Sequence, residues 1–530
     1  MTLQTRILPA ALILYSFLSV LLIVQNPGLQ YDEALLVLGS VQMRHSPQEI
    51  NLPHDPNTWY CLRVRCFPLM TVRYAGAIKD YLCLPLFALF GASAECIRVI
   101  SMLLGALGIW GLSRLLSRQV SAAQGAMAAI VLAMNPAYLN MTIFDNGAVA
   151  VWMGAFGLLC LTLNGYLLRC PQADARCESA IRPRLYGRLL KSPVWAAFWL
   201  GCAMGLGVWA RANFVWLLAA IFAAAVIVLG RRMLVPVSHW GALAAGGAAG
   251  GAPFIAYQVH SGGGTWEALS MFQANEPLRN RLFTRLVLFS ETLLADREHR
   301  AIWAGPGMLD WQPWFFLAVV VACCAVCLAA RNRLWERGAA LTFLFLSAAL
   351  FFSKLAVSEH HLIVLLPLAA VVVVLGLRII HRKWLSLALA VVYAGSALYW
   401  HVLEIKGLST TGGVGLWSDS VYTLADYLEE KYPDQELKIL DWGLQNNLFV
   451  LTEGRLHTRE IFGDPHPPEI GEVQTGGVFL LNGADHRQFP AASEEFLKAL
   501  EISDIPARHF VVRQENGAPY VEIVEIRPRR

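Results

Sequence analysis

The chain of 530 residues is strongly apolar, with 56% hydrophobic residues, 15% charged residues and a mean hydropathy of +0.49. Soluble proteins carry roughly 25% charged residues, and a single core stops growing at about 250–300 residues. A water-soluble protein could not bury this much apolar surface. The small net charge of +4 lies mainly in short loops between apolar runs, which argues against nucleic-acid binding. The composition predicts a polytopic α-helical membrane protein.

Eleven apolar runs approach the length of about 20 residues that a membrane-spanning helix needs. The first lacks a small-residue cleavage site, so we interpret it as a retained helix rather than a signal peptide. The predicted spans are Ile7–Val24, Ile97–Leu116, Ala122–Leu139, Gly147–Leu168, Val194–Trp209, Phe214–Leu229, His239–Tyr257, Trp314–Ala330, Ala339–Phe352, Leu362–Leu377 and Trp384–Trp400.

The loops on one side of these spans are basic, which sets the orientation by the positive-inside rule. With a cytoplasmic N-terminus in a bacterial inner membrane, the inner loops carry Arg114, Arg118, Arg169, Arg176, Arg182, Arg184, Arg188, Lys191, Arg231, Arg232, Arg331, Arg333, Arg337, Arg378, Arg382 and Lys383. The outer side then holds Gln25–Cys96, His260–Pro313 and everything after His401. Within the first two, Leu35–Met43 and Leu282–Leu294 are amphipathic and suit helices lying in the interface.

The sequence becomes polar after the last span, which predicts a division into a transmembrane domain (1–402) and a periplasmic α/β domain (403–530). Its expected helices are Ser420–Lys431 and Ser493–Leu500, and its expected strands are Leu437–Leu440 and Val478–Leu481. Two further strands, Phe510–Arg513 and Tyr520–Ile526, flank Asn516-Gly517, a strong hairpin signal.

Carboxylates lie where two spans meet the outer surface. Asp32 and Glu33 follow the first span, and Asp145 precedes the fourth. Each has a structural explanation, because Asp32 could cap a helix starting at Ala34 and Asp145 could cap one starting at Gly147. Charges at a membrane boundary are also costly, so the carboxylates on one face are candidates for an acid/base site.

Cations also lie on the predicted outer side, where the positive-inside rule disfavours them. A snorkelling side chain explains any single one, whereas a converging set would suit a phosphate or pyrophosphate. The candidates for phosphate binding are Arg211, Lys354, Lys79 and Arg73, together with His360 and His361 before the tenth span.

Three further sequence patterns bear on ATP-driven transport, metal binding and disulfide formation. No G-x-x-x-x-G-K-[ST] loop occurs, which argues against ATP-driven transport. His360 and His361 are adjacent, so on a helix their rings should point apart and make a poor metal pair; no metal or other cofactor is expected. Cys61 and Cys66 lie in a predicted outer loop, where they could form a disulfide or remain free thiols.

About the first 400 residues resemble the GT-C glycosyltransferase superfamily. Within it, they are more narrowly similar to the protein O-mannosyltransferase and lipid A aminoarabinose transferase group. The resemblance is carried by Asp32-Glu33 after the first span, Tyr81–Gly91 leading into Arg98-Val99-Ile100-Ser101, Asn135-Pro136 followed by Asp145, and His360-His361 followed by Leu366-Pro367.

The resemblance implies a polyprenyl-phosphate sugar donor in the bilayer and a lipid, glycan or protein acceptor. It implies that Asp32 deprotonates the acceptor hydroxyl as the sugar inverts, that Arg211 stands where relatives often carry a Lys, and that Glu33, Asp145 and Lys79 are further candidates. The alternative is a transporter or flippase of a lipid-linked glycan, which would more naturally show paired repeats and mid-span polar residues.

Overall fold

The computed structural model describes residues 3–44, 56–62, 65–169, 192–233, 235–462, 476–503 and 505–527. Within these ranges, eight helices are long and apolar enough to cross a membrane. They are Ile7–Gln25, Ala94–Gln119, Val149–Leu167, Pro193–Ala210, Trp311–Ala329, Leu334–Phe352, Glu359–Ile380 and Lys383–Thr411. Most of the basic loop that begins at Arg169 lies outside the described residues.

The third predicted span is not one straight helix. It consists of Ala122–Met134 and Pro136–Ile143, which meet at an angle of 65°. The break has a local cause, because Pro136 has no N–H to donate and the Asn135 side chain accepts a hydrogen bond from the Tyr138 N–H at 2.8 Å. Counted as one span, this bent pair raises the number of membrane-capable helices to nine.

Two more predicted spans are shorter than a full crossing. Phe214–Leu229 has 16 residues, and the predicted span His239–Tyr257 is divided between Val237–Gly250 and Ala252–His260, with Pro253 just inside the second helix. Hydropathy therefore located all eleven apolar segments. The predicted number of full spans, eleven, is too high, because only eight or nine of the described segments are long and apolar enough to cross a membrane.

Shorter helices and a small hairpin occupy the connections. Leu278–Thr292 and Leu38–Gln42 form where amphipathic stretches were expected. The remaining short helices are Tyr31–Leu35, Ile78–Phe90, Gly264–Met271 and Asp296–Trp303. Two strand pairs, Trp59–Leu62 with Arg65–Pro68 and Met70–Val72 with Ala75–Gly76, lie in the first loop. The first pair sets Cys61 opposite Cys66, and the two form a disulfide, which confirms that alternative.

The C-terminal region folds around a five-stranded sheet, as the α/β prediction requires. The strand order is His457–Glu460, Glu436–Ile439, Gly477–Asn482, Pro519–Ile526 and Ala507–Arg513, with the first three parallel and the last two antiparallel. Among the described residues of this region, the α-helices are Ser420–Lys431, Gln445–Leu451 and Pro490–Ser503. The Asn516-Gly517 turn closes the predicted hairpin, with Gly517 at φ 84°. Residue 402 lies within the helix Lys383–Thr411, and a domain division there remains a prediction.

The sheet region packs directly on the connection that follows the first membrane helix. The Gly28 N–H donates to the Trp417 carbonyl at 2.7 Å, and the Tyr422 hydroxyl donates to the Pro27 carbonyl at 3.0 Å. The Asn447 amide donates to the Leu29 carbonyl at 3.2 Å. These bonds fix the backbone immediately before Asp32.

Candidate active site

Three connections meet around a small apolar cluster in which Leu36, Ala75 and Ala148 are buried together. Leu36 follows the helix that carries Asp32, and Ala148 follows the turn that carries Asp145. Ala75 pairs across a backbone bridge with Arg211. Residues far apart in the sequence are thereby brought to one end of the helix bundle.

Asp32 lies in the helix Tyr31–Leu35 but does not cap it. Its N-cap is Gln30, whose side-chain oxygen accepts from the Asp32 and Glu33 N–H groups at 2.6 and 3.2 Å. The structural explanation as an N-cap is therefore wrong. The described residues provide no hydrogen bond or ion pair to the Asp32 carboxylate. Burial raises the pKa of this carboxyl to about 6, against an opposing effect of the Arg211 charge.

Glu33, the neighbouring candidate, is fully occupied by Arg98. The guanidinium donates to both carboxylate oxygens at 2.9 and 3.0 Å, and both side chains are wholly buried. Arg98 also donates to Asn26 and to the Gly28 carbonyl, each at 3.2 Å. The pair anchors the Asp32 segment to the helix Ala94–Gln119. An arginine within a predicted span is costly unless paired, and that signal could have identified Arg98 from sequence.

Lys79 and Asp145 form a second buried ion pair, with Nζ and Oδ2 2.6 Å apart and exposures of 1% and 0%. The other Asp145 oxygen accepts from the Ala150 N–H at 2.6 Å. Ala150 is the second residue of the helix Val149–Leu167, whose N-cap is Ala148. The prediction that Asp145 is the N-cap of a helix starting at Gly147 is therefore wrong, although its carboxylate does bind the first turn. Asp145 has a positive φ of 45°, which L-residues rarely adopt. Its side-chain bonds to Lys79 and Ala150 stabilise this tight turn.

Arg211 differs from these paired cations. It is only 2% exposed, and its Nη1 donates to the His360 carbonyl at 2.9 Å. Its buried Nη2 has no hydrogen-bond partner among the described residues. Burial lowers its pKa to about 10, although Tyr74, Asp145 and Asp32 favour the charged form, so the guanidinium stays charged at neutral pH. One N–H₂ group of this buried cation is therefore left without a partner among the described residues.

His360 and His361 do not point apart as expected. Their ring centroids are 4.2 Å apart, because the rings contact the same side chain: the Ser358 hydroxyl lies 3.1 Å from His360 Nδ1 and 2.9 Å from His361 Nδ1. Gly147 allows the Asp145 turn to approach closely, since a Cβ there would lie 2.6 Å from His360 Cδ2. No group of three potential metal ligands occurs in the part of the chain that the structure describes.

The last two cation candidates, Arg73 and Lys354, are more exposed to solvent than Arg211. Arg73 forms an ion pair with Glu267 at 3.2 Å, and Lys354 is exposed. The loop that holds Lys354 is organised by a residue the sequence analysis missed, Arg285, which donates to the carbonyls of Leu350, Phe351 and Ser353 at 2.8–2.9 Å. No hydrogen bond joins Lys354 to Arg211 within the described ranges.

The sheet region adds residues beside Asp32 that carried no sequence signal. The Tyr31 ring lies 4.6 Å from the Trp442 ring, and its hydroxyl donates to Glu460 Oε2 at 3.4 Å. Burial raises the pKa of Glu460 to about 7. The partners are more than 400 residues apart in the sequence, so no local sequence pattern could have predicted these contacts.

No protein-family model and no curated protein sequence matches this chain. Solved structures do. The ArnT structure from Cupriavidus metallidurans in the apo state matches with a TM-score of 0.58 and 11% identity, covering 98% of this chain and 97% of that chain. The fold is that of the GT-C glycosyltransferases. The oligosaccharyltransferase of Archaeoglobus fulgidus also matches, with a TM-score of 0.51 and 13% identity over 99% of this chain and 74% of that one. The GT-C fold predicted from sequence is confirmed, and the chain is a multi-pass membrane protein.

Proposed function

We propose that this chain is a glycosyltransferase that moves a sugar from a polyprenyl-phosphate donor to an acceptor hydroxyl on a lipid, glycan or protein. The observation that carries the proposal is the pairing pattern of the charged loops. Glu33 and Lys79 are sealed in buried ion pairs, whereas Asp32 and one arm of Arg211 keep free hydrogen-bonding atoms among the described groups. A free carboxylate beside a free buried cation suits hydroxyl activation and phosphate binding.

Asp32 is the proposed base. The acceptor oxygen attacks the anomeric carbon, the bond from that carbon to the phosphate oxygen breaks, and the hydroxyl proton passes to the Asp32 carboxylate. Attack opposite the leaving phosphate inverts the anomeric configuration. A pKa of about 6 keeps the carboxylate mostly ionised at neutral pH while leaving it a competent proton acceptor.

Arg211 is the proposed phosphate ligand. Its fork-shaped guanidinium can bind two phosphate oxygens, and a fixed cation acts more strongly in a partly desolvated site than in water. Lys79 and Asp145 then serve to position the loops around the site, and Glu33 to anchor Asp32. His360 supports Arg211 through its carbonyl. Arg73, His361 and Lys354 remain proposed contributors to donor binding at the periphery.

The solved relatives support this assignment. One ArnT structure is bound to undecaprenyl phosphate, at a TM-score of 0.58 and 12% identity, and an Archaeoglobus fulgidus oligosaccharyltransferase structure contains a dolichol-phosphate with an inhibitory peptide. Both are transferases, so the transporter alternative gains no support from them. We also propose that the protein lies in a bacterial inner membrane with a cytoplasmic N-terminus, and that the site and a C-terminal domain (403–530) face the periplasm. The basic loops on one side of the predicted spans support this orientation.

Two measurements test the function. The lipid and glycan profile of cells lacking the protein should lose one sugar modification. Purified protein supplied with the corresponding undecaprenyl-phosphate sugar and that acceptor should then release undecaprenyl phosphate in equal amount to the glycosylated product. An unchanged profile together with accumulation of the intact lipid-linked sugar on one membrane face would instead indicate a transporter.

A further inference from the structure

The side chain that precedes Asp32 in the chain is held by the sheet region. Tyr31 is the first residue of the helix Tyr31–Leu35 and is 6% exposed. Its ring lies 4.6 Å from the Trp442 ring, and its hydroxyl donates to Glu460 Oε2 at 3.4 Å. The Asp32 carboxylate has no hydrogen-bond partner among the described residues, so its position depends on what holds the short helix that carries it.

Both contacts come from the carboxyl ends of two neighbouring parallel strands. Glu460 ends the strand His457–Glu460, and Trp442 follows the strand Glu436–Ile439. The two strands pair in parallel with Ile439 opposite Glu460. The carboxyl ends of parallel strands lie at one edge of a sheet and commonly border functional sites in α/β folds. Tyr31 therefore packs against this edge.

The loop that carries Trp442 is held by several hydrogen bonds. The Trp442 N–H donates to Asp441 Oδ1 at 2.9 Å, and the Trp442 carbonyl accepts from the Asn482 amide at 2.8 Å. Asp441 is wholly buried and also accepts from the Phe489 N–H at 2.8 Å. The Trp442 backbone cannot shift without breaking these bonds, so its ring is a fixed surface for Tyr31.

The helix Gln445–Leu451 ties the same loop to the chain before Asp32. The Asn447 amide donates to the Gly443 carbonyl at 2.9 Å and to the Leu29 carbonyl at 3.2 Å. One side chain thereby joins the loop after the strand to the connection that follows the first membrane helix. The sheet region thus locates the segment around Asp32 both through side chains and through its backbone.

The hydrogen bond from Tyr31 is compatible with both protonation states of Glu460. Burial raises the pKa of Glu460 to about 7, against the opposing effect of the bond from Tyr31, and each form keeps a carboxyl oxygen that can accept. Burial and the charges of Glu460 and Asp32 raise the pKa of Tyr31, so its hydroxyl remains a donor. An amide at position 460 should therefore replace the carboxyl in this bond, whereas an apolar side chain should not.

We propose that Glu460 and Trp442 are positioning residues, which hold the Asp32 carboxylate in its catalytic geometry through the side chain of Tyr31. The inference rests on the proposed function of Asp32 as the base. A general base must lie within hydrogen-bond reach of the proton that it removes, and a misplacement of about 1 Å can cost about 10²-fold in rate. The sheet region then affects the chemical step, although it supplies none of the proposed catalytic groups.

The first test compares Glu460→Leu with Glu460→Gln in purified full-length protein, using the donor and acceptor identified for the proposed function. Glu460→Leu should lower kcat about tenfold and leave the donor KM within about twofold, because the Arg211 guanidinium is unchanged. Glu460→Gln should restore kcat to within about threefold of wild type, since its amide oxygen accepts from Tyr31. The matched control is Glu436→Leu, which removes an exposed carboxylate paired with Arg459 at the opposite end of the neighbouring strand; it should match wild type.

The second test asks whether the effect passes through Tyr31 and Asp32. Tyr31→Phe, which deletes only the hydroxyl oxygen, should lower kcat as much as Glu460→Leu, and the double variant should be no slower than either single variant. Tyr31→Phe also replaces Glu460→Leu as the test variant if the latter does not fold. In the Asp32→Asn background, Glu460→Leu should cause no further loss, because no base remains to be positioned. Losses that multiply in either combination overturn the proposal.

A measurement that needs no turnover separates this inference from the transferase assignment. Amide hydrogen exchange of residues 31–36 in detergent should be about threefold faster in Glu460→Leu than in wild type, with Glu460→Gln restoring the slower rate and the helix Val149–Leu167 unchanged. Unchanged exchange in Glu460→Leu overturns the positioning role even where sugar transfer is observed. Faster exchange in a protein that transfers no sugar supports the hold on the Asp32 segment and refutes the proposed function.

Discussion

The closed ion pairs and the open Asp32–Arg211 region differ in what their charges contact. Glu33 with Arg98 and Lys79 with Asp145 satisfy each other at 2.6–3.0 Å, and all four side chains are at most 1% exposed. Asp32 and Arg211 are mostly buried as well, but the Asp32 carboxylate and Arg211 Nη2 have no partner among the described residues. Burial of a charged side chain therefore does not by itself identify a catalytic group, and the difference between the two regions is that only Asp32 and Arg211 keep atoms without a partner among the described residues.

The comparison implies that the two regions fail in different ways. Changes in the closed pairs should lower stability, since removing one partner leaves an uncompensated buried charge. Changes in the open region should lower activity with a smaller loss of stability, since the Asp32 carboxylate and Arg211 Nη2 have no partner among the described residues and Arg211→Ala removes only the Nη1 bond to the His360 carbonyl. Each variant below should be scored for both quantities.

The largest effect is expected for Asp32→Asn. Loss of a general base typically costs about 10²–10⁴-fold in rate, and the amide keeps the size of the side chain without accepting the proton. The measurement is kcat of purified protein with saturating donor, alongside its melting temperature. Asp434→Asn, at an exposed position, is the control and should match wild type. Near-normal turnover by Asp32→Asn would remove it from the base role.

Glu33→Gln should instead destabilise the fold. The substitution leaves the Arg98 guanidinium buried without a charge partner, which costs about 3–5 kcal/mol and should lower the melting temperature and the membrane level. The matched control is Glu429→Gln, because Glu429 pairs with Arg455 at the surface, where such pairs contribute about 0–1 kcal/mol. If Glu33→Gln melts like wild type but is inactive, Glu33 belongs to the chemistry instead of the scaffold.

Arg211→Ala should raise the KM for the polyprenyl donor roughly 10- to 100-fold, which corresponds to the loss of a charged hydrogen bond of about 1.5–3 kcal/mol. Arg211→Lys should recover part of the loss, because a Lys supplies the charge without the bidentate geometry. Initial rates against donor concentration at fixed acceptor measure this effect. A change confined to the acceptor KM would argue against phosphate binding.

The pH dependence should follow the raised pKa of Asp32. The base acts only when ionised, so kcat/KM should be constant above pH ~7 and fall about tenfold per unit below a pKa of about 6. Because Arg211 favours the ionised carboxylate, the inflection in Arg211→Ala should move to higher pH. A profile that is flat down to pH 4.5 would contradict the assignment.

The smallest effect is expected for Lys354→Ala. The side chain is exposed, so its charge is screened by water and salt, and the donor KM should change less than about threefold by the same measurement as for Arg211→Ala. A change as large as that of Arg211→Ala would place Lys354 on the phosphate.

Local patterns in the sequence determined the elements of this protein. Runs of apolar residues located every membrane segment, and Asn516-Gly517 identified the last hairpin, because helix and turn preferences depend on neighbours a few residues apart. The same information was insufficient at Asn135-Pro136, where a run that looked continuous contains a proline break, and at His360-His361, where a shared contact with Ser358 overrides the helical spacing.

The tertiary structure alone decided which charges are free. Lys79 and Arg211 are both predicted from the sequence to be outer cations, yet Asp145, 66 residues away, neutralises Lys79, whereas Arg211 Nη2 has no partner among the described residues. Glu33 and Arg98 are 65 residues apart, and Tyr31 meets Glu460 across 429 residues. The free energy of a buried charge depends on the groups that surround it in space. The sequence could therefore predict Asp32 and Arg211 as candidates, but only the folded structure distinguishes them from their paired neighbours.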